Sequence, residues 1–381
     1  MKVYLDYAAT SPMDPQVLEA MLPYFKEKFG NASSLHSWGQ EARAAIDEAR
    51  EQISRILSCQ QQEIIFTGTT TEADNLAIFG VAKVSLPKGN HLITSPIEHH
   101  GALDVFEALS KNGFETTHLK VDEYGLVDPT EVEKALKETT TLVNVMYANN
   151  EVGTVEPIEE IAKVTKKHGI AFHTDAAAAK YLDLNVQSLG VDLMTLGPHK
   201  FYGPKGIGIL YVRKGTKIES VIKGGAHEYG LRPGTENVPA IVGAAKALKL
   251  LEEDRKMQAE RLIKLRDKLI DGVLQKISNS HLTGHPEKRV PDIASFVVEG
   301  AEGESMLLLL DQEGIAASSG SACTSGLLEP SHVLTAMGIS PELAHGSLRF
   351  SLGKQTTEEE IDYVLEKLPR IVERLREIAP K

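Results

Sequence analysis

Short apolar runs alternate with amphipathic stretches through the first half of the chain. The runs have the length of buried strands, whereas the stretches between them repeat apolar residues at the spacing of a helix. Strands that alternate with helices predict a mainly parallel sheet covered by helices on both faces. In chain order, the segments are Ile64–Phe66, Thr71–Ala82, His91–Thr94, Leu103–Leu109, Leu142–Tyr147, Ile158–His168, Ile170–Phe172 and Leu193–Leu196.

The two ends of the chain follow other patterns. Asp14–Phe29 carries a helical apolar stripe that begins at an Asp-Pro start signal, and helical spacing resumes over Ala42–Leu57 after the polar loop Gly30–His36. From Ala240 to about Ile277, one long, charge-rich helical stretch is predicted to connect two domains, which agrees with a length of 381 residues. A smaller α+β domain is predicted from Ile293–Val298, Ser305–Leu310, Leu348–Leu352 and a final helix from Thr357.

Composition and charge exclude several classes of protein. A formal net charge of -12 argues against a nucleic-acid partner, which would need clustered Lys and Arg. No apolar run approaches the ~20 residues needed to cross a bilayer, and the N-terminal MKVYLDYAATSP does not have the pattern of a signal peptide. The two cysteines, Cys59 and Cys323, do not form a disulfide framework, so we expect a reducing cytoplasmic location.

An acid and a lysine follow two of the predicted strands. Asp175 comes after the run Ile170–Phe172, and Lys200 comes after Leu193–Leu196. Ligands of parallel sheets bind beyond the carboxyl ends of the strands, so both side chains are predicted to face one crevice. Such a pair suits pyridoxal phosphate, because a lysine forms a Schiff base with its aldehyde and a carboxylate keeps its pyridinium nitrogen protonated. Taken alone, the two residues are more typical of a helix cap and a solvated lysine.

The segment Phe66–Ala73, FTGTTTEA, lies between a predicted strand and a predicted helix. Backbone N–H groups at a helix N-terminus bind anions, and the hydroxyls of Thr70 and Thr71 would add donors to a phosphate. Simple N-capping by a threonine is the commoner explanation of such a segment. The segment therefore indicates a phosphate site only in combination with other features.

Polar side chains mark three other strand-like runs. His99 could lie over an aromatic cofactor or act as an acid–base, and Asn150 could donate to a phenolate oxygen. A capping histidine and a turn-forming asparagine are the alternatives. Arg349 lies on a probable strand and is a candidate for bidentate binding of a substrate carboxylate, with an ordinary ion-paired arginine as the alternative.

Cys323 lies within Ala317–Gly326, ASSGSACTSG, a run of small and polar residues. Such a run predicts a mobile or exposed loop, in which a cysteine is not a packing residue. A thiolate is a strong nucleophile that a loop could carry to a substrate, although an unreactive loop thiol is the alternative. Cys59 follows a helical stripe and is interpreted as structural.

Motifs spread over the chain carry a resemblance to a known family. They are YLDYAAT, FGNASSLHSWG, TEADNLAIFG, IEHHGALD, ANNEVGTVEPI, HKFYGPKGIG, LRPGTENVPAIVG, SSGSACTSG, PSHVLTAMG and HGSLRFSLG. With these motifs the chain resembles the cysteine desulfurases of the NifS/IscS type, which are pyridoxal-phosphate enzymes of the aspartate-aminotransferase fold. The long loop around Cys323 is similar to the NifS/IscS branch rather than to the short-loop branch.

The resemblance implies a role for each matching residue. Lys200 would form the Schiff base, Cys323 would be the nucleophile and His99 would stack on the cofactor ring and assist catalysis. The remaining implied contacts are Asp175 to the pyridinium nitrogen, Asn150 near the ring hydroxyl and the substrate, Thr70, Thr71 and His199 at the phosphate, Thr235 at the phosphate of the other subunit, and Arg349 at the substrate carboxylate.

The resemblance also implies an architecture and an activity. A large domain of residues 14–250 would hold a seven-stranded, mainly parallel sheet, and residues 1–13 and 251–381 would form a small α+β domain with the Cys323 loop. A homodimer would convert L-cysteine to L-alanine and leave a persulfide on Cys323. An IscU-like iron–sulfur scaffold protein would accept the sulfur, and tRNA thiolation is a second destination. No resident metal is implied, although Cys323 could be an iron–sulfur ligand through a persulfide or a shared cluster.

Three positions depart from the family pattern. The family has Gln where this chain has Ala178 and Ser where it has Gly197, and its Ser-Gly-Ala-Thr loop reads Gly-Thr-Thr-Thr over Gly68–Thr71. The lost glutamine removes a hydrogen bond worth about 1 kcal/mol, whereas Thr70 is a candidate replacement for the missing serine hydroxyl. Because the lysine, the acid and the cysteine remain, we expect altered cofactor binding or rate and retained chemistry.

Two other functions stay open at this point. A related pyridoxal enzyme, such as a selenocysteine lyase or an aminotransferase, would share the lysine and the acid. A low-activity assembly scaffold would use Cys323 as a sulfur or cluster ligand and would turn over little cysteine. The departures at Ala178 and Gly197 are the features that favour the scaffold.

Overall fold

A computed structural model describes residues 1–320 and 330–378. Its strands form a seven-stranded sheet in the order β2-β8-β7-β6-β5-β3-β4, a three-stranded sheet in the order β12-β10-β9, and the pair β1-β11. The strands are β1 (Val3–Tyr4), β2 (Ile64–Thr67), β3 (His91–Thr94), β4 (Glu115–His118), β5 (Thr140–Asn144), β6 (Ala171–Asp175), β7 (Leu193–Leu196), β8 (Gly208–Val212), β9 (Ser280–Leu282), β10 (Ile293–Val298), β11 (Ile315–Ala316) and β12 (Ser347–Ser351).

The large sheet confirms the predicted mainly parallel architecture. Strands β4, β3, β5, β6 and β7 pair in parallel, and β8 is antiparallel to both of its neighbours, β7 and β2. Strands β2, β3, β7 and β8 are buried at every residue, because the sheet lies between helical layers. Such strands read as continuous apolar runs, which is why the sequence pattern reveals β2, β3 and β7, whereas β8 is not among the predicted segments.

Helices cover the large sheet and join it to the smaller ones. They are α1 (Pro15–Met21), α2 (Pro23–Lys26), α3 (Ser37–Leu57), α4 (Thr70–Ser85), α5 (His100–Lys111), α6 (Pro129–Ala135), α7 (Ile158–His168), α8 (Val186–Leu189), α9 (Val238–Lys276), α10 (Gly303–Gln312), α11 (His332–Ala336), α12 (Pro341–Ala344) and α13 (Glu358–Ile378). Across these described helices, none is long and apolar enough to cross a membrane.

The single helical stripe predicted over Asp14–Phe29 is wrong in detail. The structure has two short helices, α1 and α2, because Pro23 has no N–H to donate and begins a new helix instead. Only Val17 and Met21 of the stripe are buried, whereas Leu18, Leu22 and Phe25 are exposed.

The long helix predicted from Ala240 to Ile277 is confirmed as α9, which has 39 residues. Its first half packs against α1 and α3, and its second half packs against α13, β9 and β10. The expected domain boundary between residues 250 and 251 therefore falls inside one continuous helix. Through this helix the large sheet and the three-stranded sheet share a hydrophobic core.

A buried ion pair fixes the segment that precedes α9. The Arg50 guanidinium on α3 binds both carboxylate oxygens of Glu228 at 3.0 and 2.6 Å, and each side chain is only 3% exposed. The same carboxylate accepts a hydrogen bond from the backbone N–H of Phe66 at 2.8 Å. Glu228 has a positive φ of 47°, a conformation that costs energy in a residue with a side chain. The ion pair thus holds a strained turn against β2.

We expect Glu228→Ala to lower the free energy of unfolding by about 3–5 kcal/mol, because it leaves the Arg50 charge buried without its carboxylate. The matched control is Glu219→Ala, which removes the shared partner of two exposed ion pairs, with Lys83 and Lys223, and should cost about 1 kcal/mol or less. Urea unfolding at one fixed protein concentration measures both values. Equal losses in the two variants would contradict the role given to the buried pair.

Candidate active site

A cavity of about 540 Å³ opens at the carboxyl edge of the large sheet. Its walls come from the ends of the parallel strands, from the N-terminal segment and from β10 and β12, and its size suits a small organic ligand. The structure brings most of the sequence-predicted site residues together here. Those that line the cavity are Thr70, Thr71, His99, Asn150, Asp175, His199, Lys200 and Arg349.

Two predicted residues are not among those lining residues. Thr235 is exposed on the segment before α9 and is not one of the described residues that line this cavity. Cys323 lies outside the described residues. The chain enters that segment beside Arg349, since the Ser318 and Arg349 backbones exchange hydrogen bonds of 3.1 and 2.7 Å. It leaves the segment at Ser331, whose hydroxyl donates to Glu151 at 2.6 Å.

Asp175 is the last residue of β6 and is buried at the base of the cavity. Its carboxylate accepts a hydrogen bond from the backbone N–H of Ala177 at 2.8 Å. Burial raises the pKa of Asp175, while that hydrogen bond and the nearby His99 and Lys200 act in the opposite direction. A protonated ring nitrogen placed here would meet a carboxylate that has little access to water.

Lys200 lies on the 3₁₀ turn Pro198–Lys200 that follows β7. The Lys200 Nζ donates to the carbonyl oxygens of Ala8 and Ala9 at 2.5 and 2.9 Å. These carbonyls belong to the N-terminal segment. The beginning of the chain therefore orients the lysine at the carboxyl edge of the large sheet. The arrangement directs an amine into the same cavity as the Asp175 carboxylate.

His99 caps α5, which is one of the alternatives raised by its sequence position, and it also lines the cavity. Its Nδ1 accepts a hydrogen bond from the backbone N–H of Gly101 at 2.9 Å. A neutral ring with Nδ1 occupied in this way carries its proton on Nε2. Burial lowers the pKa of His99 and so favours the neutral ring. His99 can therefore present an N–H donor to a ligand.

The N-terminus of α4 also lines the cavity. Thr69, rather than Thr70 or Thr71, supplies the N-cap, because its hydroxyl accepts the Glu72 N–H at 3.0 Å. The hydroxyl of Thr70 is buried and has no hydrogen-bond partner within residues 1–320 and 330–378. An unused donor beside a helix N-terminus suits an anion.

His199 and Arg349 each hold a partner from the N-terminal segment. Burial and the neighbouring Lys200 lower the pKa of His199 to about 4, so its ring is neutral, and Nδ1 lies 3.2 Å from the Thr10 hydroxyl. Arg349 donates to the Asn150 carbonyl at 2.8 Å and pairs with Asp6 at 3.1 Å. The buried Nε of Arg349 makes no hydrogen bond to any described residue. The guanidinium thus combines a structural ion pair with a remaining donor.

Sequence reasoning did not single out three charged residues that line this cavity. Asp74 on α4 is 1% exposed and lies 3.7 Å from the His173 ring, and burial together with Asp175 raises its pKa. Lys180 and Asp292 form a buried ion pair of 2.8 Å between the loop after β6 and the start of β10. The usable signal for Asp74 is its position among the apolar residues of α4, where a charged side chain must be buried.

These residues fit pyridoxal phosphate. The α4 N-terminus with its unpartnered Thr70 hydroxyl suits the phosphate, Asp175 suits the ring nitrogen and the Lys200 amine suits the aldehyde. Across the described residues, no cluster of three or more His, Cys, Asp or Glu side chains could hold a metal ion. The expected iron–sulfur ligation by Cys323 falls on a residue outside that description. Fold and site together define a pyridoxal-phosphate enzyme of fold type I.

The chain belongs to the aminotransferase class-V family, whose model matches residues 3–364. It is 51% identical over 380 residues to a protein of Dictyoglomus turgidum named cysteine desulfurase IscS, with 100% of this chain and 96% of the relative covered. A solved NifS-like protein superimposes with a TM-score of 0.93 at 38% identity, covering 98% and 100% of the two chains. A structure of SspA in complex with cysteine gives a TM-score of 0.81 at 37% identity, covering 92% and 99%.

A further buried acid lies next to the site. Glu98 is fully buried, and its Oε1 accepts hydrogen bonds from the Ser95 hydroxyl at 2.6 Å and the Met146 N–H at 2.8 Å. Burial raises the pKa of Glu98 to about 7, although both hydrogen bonds act to lower it. The unfolded chain would ionise this carboxyl near pH 4.5, so folding favours the protonated form.

We predict that Glu98 makes the protein less stable as the pH rises. The stabilisation is fully present below about pH 4.5 and is lost as the pH passes about 7, and it amounts to roughly 3 kcal/mol. Glu98→Gln keeps the accepting oxygen and cannot ionise, so it should remove this component. Urea unfolding of both proteins between pH 5 and 8 measures the difference, in which contributions from other groups cancel. Parallel stability curves would contradict the prediction.

Proposed function

We propose that this chain is a pyridoxal-phosphate-dependent cysteine desulfurase that converts L-cysteine to L-alanine and collects the sulfur as a persulfide on Cys323. The observation that carries the proposal is one cavity that joins an anion-binding helix end, a buried acid and a lysine, with both described ends of the Cys323 segment anchored beside it. The names of the relatives, cysteine desulfurase IscS, support the same reaction.

The sequence-predicted residues of the cavity each receive a place at the cofactor or the substrate. Asp175 would pair with the ring nitrogen, His99 would lie against the ring and Asn150 would contact the ring hydroxyl and the substrate. Bound there, pyridoxal phosphate supplies an electron sink for the bonds at the substrate Cα. The phosphate contacts would be Thr70, Thr71 and His199 of one subunit and Thr235 reaching across from the other.

Arg349 binds the substrate carboxylate in this proposal. Its Nη2 is held by Asp6 and its Nη1 by the Asn150 carbonyl, which fixes the plane of the guanidinium. The buried Nε remains for an incoming carboxylate. A carboxylate beside Asp6 also meets a negative charge, so binding requires either a shared guanidinium or a shift of the Asp6 side chain.

Lys200 and His99 move the protons. The Lys200 amine takes the proton from the substrate Cα, and the backbone carbonyls of Ala8 and Ala9 orient it before substrate arrives. His99 holds a proton on Nε2, because its Nδ1 is occupied by the Gly101 N–H, and so it acts as a donor. Lys200 therefore acts as the base and His99 as the acid.

Cys323 accepts the sulfur. Its thiolate attacks the substrate sulfur, the carbon–sulfur bond breaks, and the Cβ of the product is protonated to give alanine while the sulfur stays on Cys323 as a persulfide. The persulfide passes its outer sulfur to an IscU-like iron–sulfur scaffold protein, and tRNA thiolation is a second destination. Residues 1–13 and 251–381 would form the small domain that brings Cys323 to the large domain of residues 14–250. The protein would be cytoplasmic.

A homodimer completes the proposed site, because Thr235 is exposed on its own subunit. Large apolar side chains near the N-terminus are also exposed, and the rings of Phe29 and Trp38 lie 5.7 Å apart in contact with solvent. An exposed apolar surface of this kind is typical of an interface. The side chains are Leu18, Leu22, Phe25, Phe29, Leu35 and Trp38.

We expect the purified protein to show the absorption of bound pyridoxal phosphate. This absorption should shift when L-cysteine is added. Alanine should then form, and sulfide should form when a thiol reductant is present. Cys323→Ser should keep the absorption and its shift but lose more than about 100-fold of both products. Cys59→Ser is the matched control, since burial raises the pKa of the Cys59 thiol to about 12 and keeps it unreactive.

Other outcomes point to the rival functions. Retention of L-cysteine turnover in Cys323→Ser would favour an aminotransferase, and a preference for selenocysteine independent of Cys323 would favour a selenocysteine lyase. A protein that stays colourless and inert with added pyridoxal phosphate would favour the assembly scaffold.

Light scattering should show a dimer of the native protein. The double substitution Phe29→Glu and Trp38→Glu should shift it to the monomer, because it places charges in the apolar surface. Leu308→Glu changes an equally exposed leucine on α10 and serves as the control, so it should remain dimeric. A native monomer, or a dimer in all variants, would contradict this interface.

A further inference from the structure

Thr70 and Gly197 compete for one space in the cavity wall. A Cβ atom added to Gly197 would lie 2.6 Å from the Thr70 Oγ1, 3.7 Å from its Cβ and 3.6 Å from the Cγ of Lys200. The first of these distances is shorter than any stable van der Waals contact, whereas the other two are ordinary. The obstacle to a side chain at position 197 is therefore the hydroxyl of Thr70 itself.

Among the described residues, the Thr70 hydroxyl has no hydrogen-bond partner that would explain its place. It is buried, and it makes no hydrogen bond within the described part of the chain. The capping of α4 belongs to Thr69, whose hydroxyl accepts the Glu72 N–H. A buried hydroxyl without a partner destabilises a fold, so the position of this one beside the cavity points to a ligand that accepts its hydrogen bond.

The electrostatics of the α4 end make this donor important. His199 is neutral because burial lowers its pKa to about 4, and its Nδ1 lies 3.2 Å from Thr10. Lys205 lines the cavity but is exposed to solvent. An anion at this end would depend largely on helix N–H groups and hydroxyls, so the loss of one hydroxyl should be measurable.

We infer that Thr70 and Gly197 form a reciprocal pair, in which the phosphate-binding hydroxyl can stand at position 70 or at position 197 but not at both. The inference rests on the proposed function, because it requires the phosphate of pyridoxal phosphate at this end of the cavity. It explains why position 197 has no side chain although its backbone φ of -114° suits any residue.

The reciprocal exchange tests the pair. Holoenzymes of the native protein, Thr70→Ala, Gly197→Ser and the double variant are dialysed, and the loss of bound pyridoxal phosphate is followed by absorption. We expect each single variant to release the cofactor about 10-fold faster or more, Thr70→Ala through a lost hydrogen bond and Gly197→Ser through the short contact. The double variant relieves the contact and restores a hydroxyl, so its release should return to within about threefold of the native rate.

Two further variants separate space from chemistry. Gly197→Ala in the Thr70→Ala background relieves the contact without supplying a hydroxyl and should still release pyridoxal phosphate fast. Thr70→Ser keeps the hydroxyl beside Gly197 and should behave as the native protein. Binding of pyridoxal, which lacks the phosphate, should be nearly equal in all variants. The thermal unfolding midpoint of each protein shows whether it is folded.

The outcomes distinguish the inference from the function on which it rests. Failure of the native protein to hold pyridoxal phosphate would overturn the proposed function and this inference with it. If the native protein holds the cofactor but the double variant does not release it more slowly than the single variants, the pair is overturned alone. The pair is likewise overturned if Gly197→Ser alone has no effect, or if pyridoxal binding falls as much as that of pyridoxal phosphate.

Discussion

Charged side chains that are buried or half-buried at the carboxyl edge of the large sheet are the constraint on which the rest of the site depends. Each needs a fixed partner or, like the carboxyl of Asp74, a raised pKa that favours its neutral form, because an unpaired charge in the interior costs several kcal/mol. The Asp175 carboxylate has the Ala177 N–H, the Lys200 amine has two carbonyls of the N-terminal segment, and Lys180 has Asp292. These pairings draw on the N-terminal segment, on the sheet and on β10. The chain must therefore bring distant segments to this edge to keep the groups buried, and the cavity is the space between them.

The same burial explains how much of the fold the sequence could predict. Strands covered on both faces appear as apolar runs, and helices with one buried face appear as periodic stripes, so most of the large sheet and the helix α9 were predictable. The strand β4 was not, because Glu115–His118 lies at the sheet edge with polar, partly exposed side chains. The break between α1 and α2 was missed because an apolar stripe continues through Pro23, whereas backbone hydrogen bonding does not.

At the site, the sequence identified residues at strand ends, since topology alone directs these to a common edge. It did not identify Asp74, Lys180 or Asp292, whose burial depends on contacts between distant segments. The sequence also could not decide between two alternatives where one residue satisfies both. His99 caps a helix and faces the cavity, and Arg349 forms an ion pair while keeping one donor. In such a residue, a structural contact and a position at the cavity are compatible, so the two are not true alternatives.

Two of the departures from the family pattern, Gly197 and Ala178, have different consequences for the cavity wall. At Gly197, the missing side chain is matched by a hydroxyl from Thr70 in the same space, so the wall keeps a donor. Ala178 lines the cavity too, but the next polar side chain along the chain is Lys180, and its ammonium lies 2.8 Å from Asp292. Moving that ammonium towards a ligand would leave a buried carboxylate unpaired. The first departure therefore exchanges one hydroxyl for another, whereas the second leaves Asn150 as the described side-chain amide that lines the cavity.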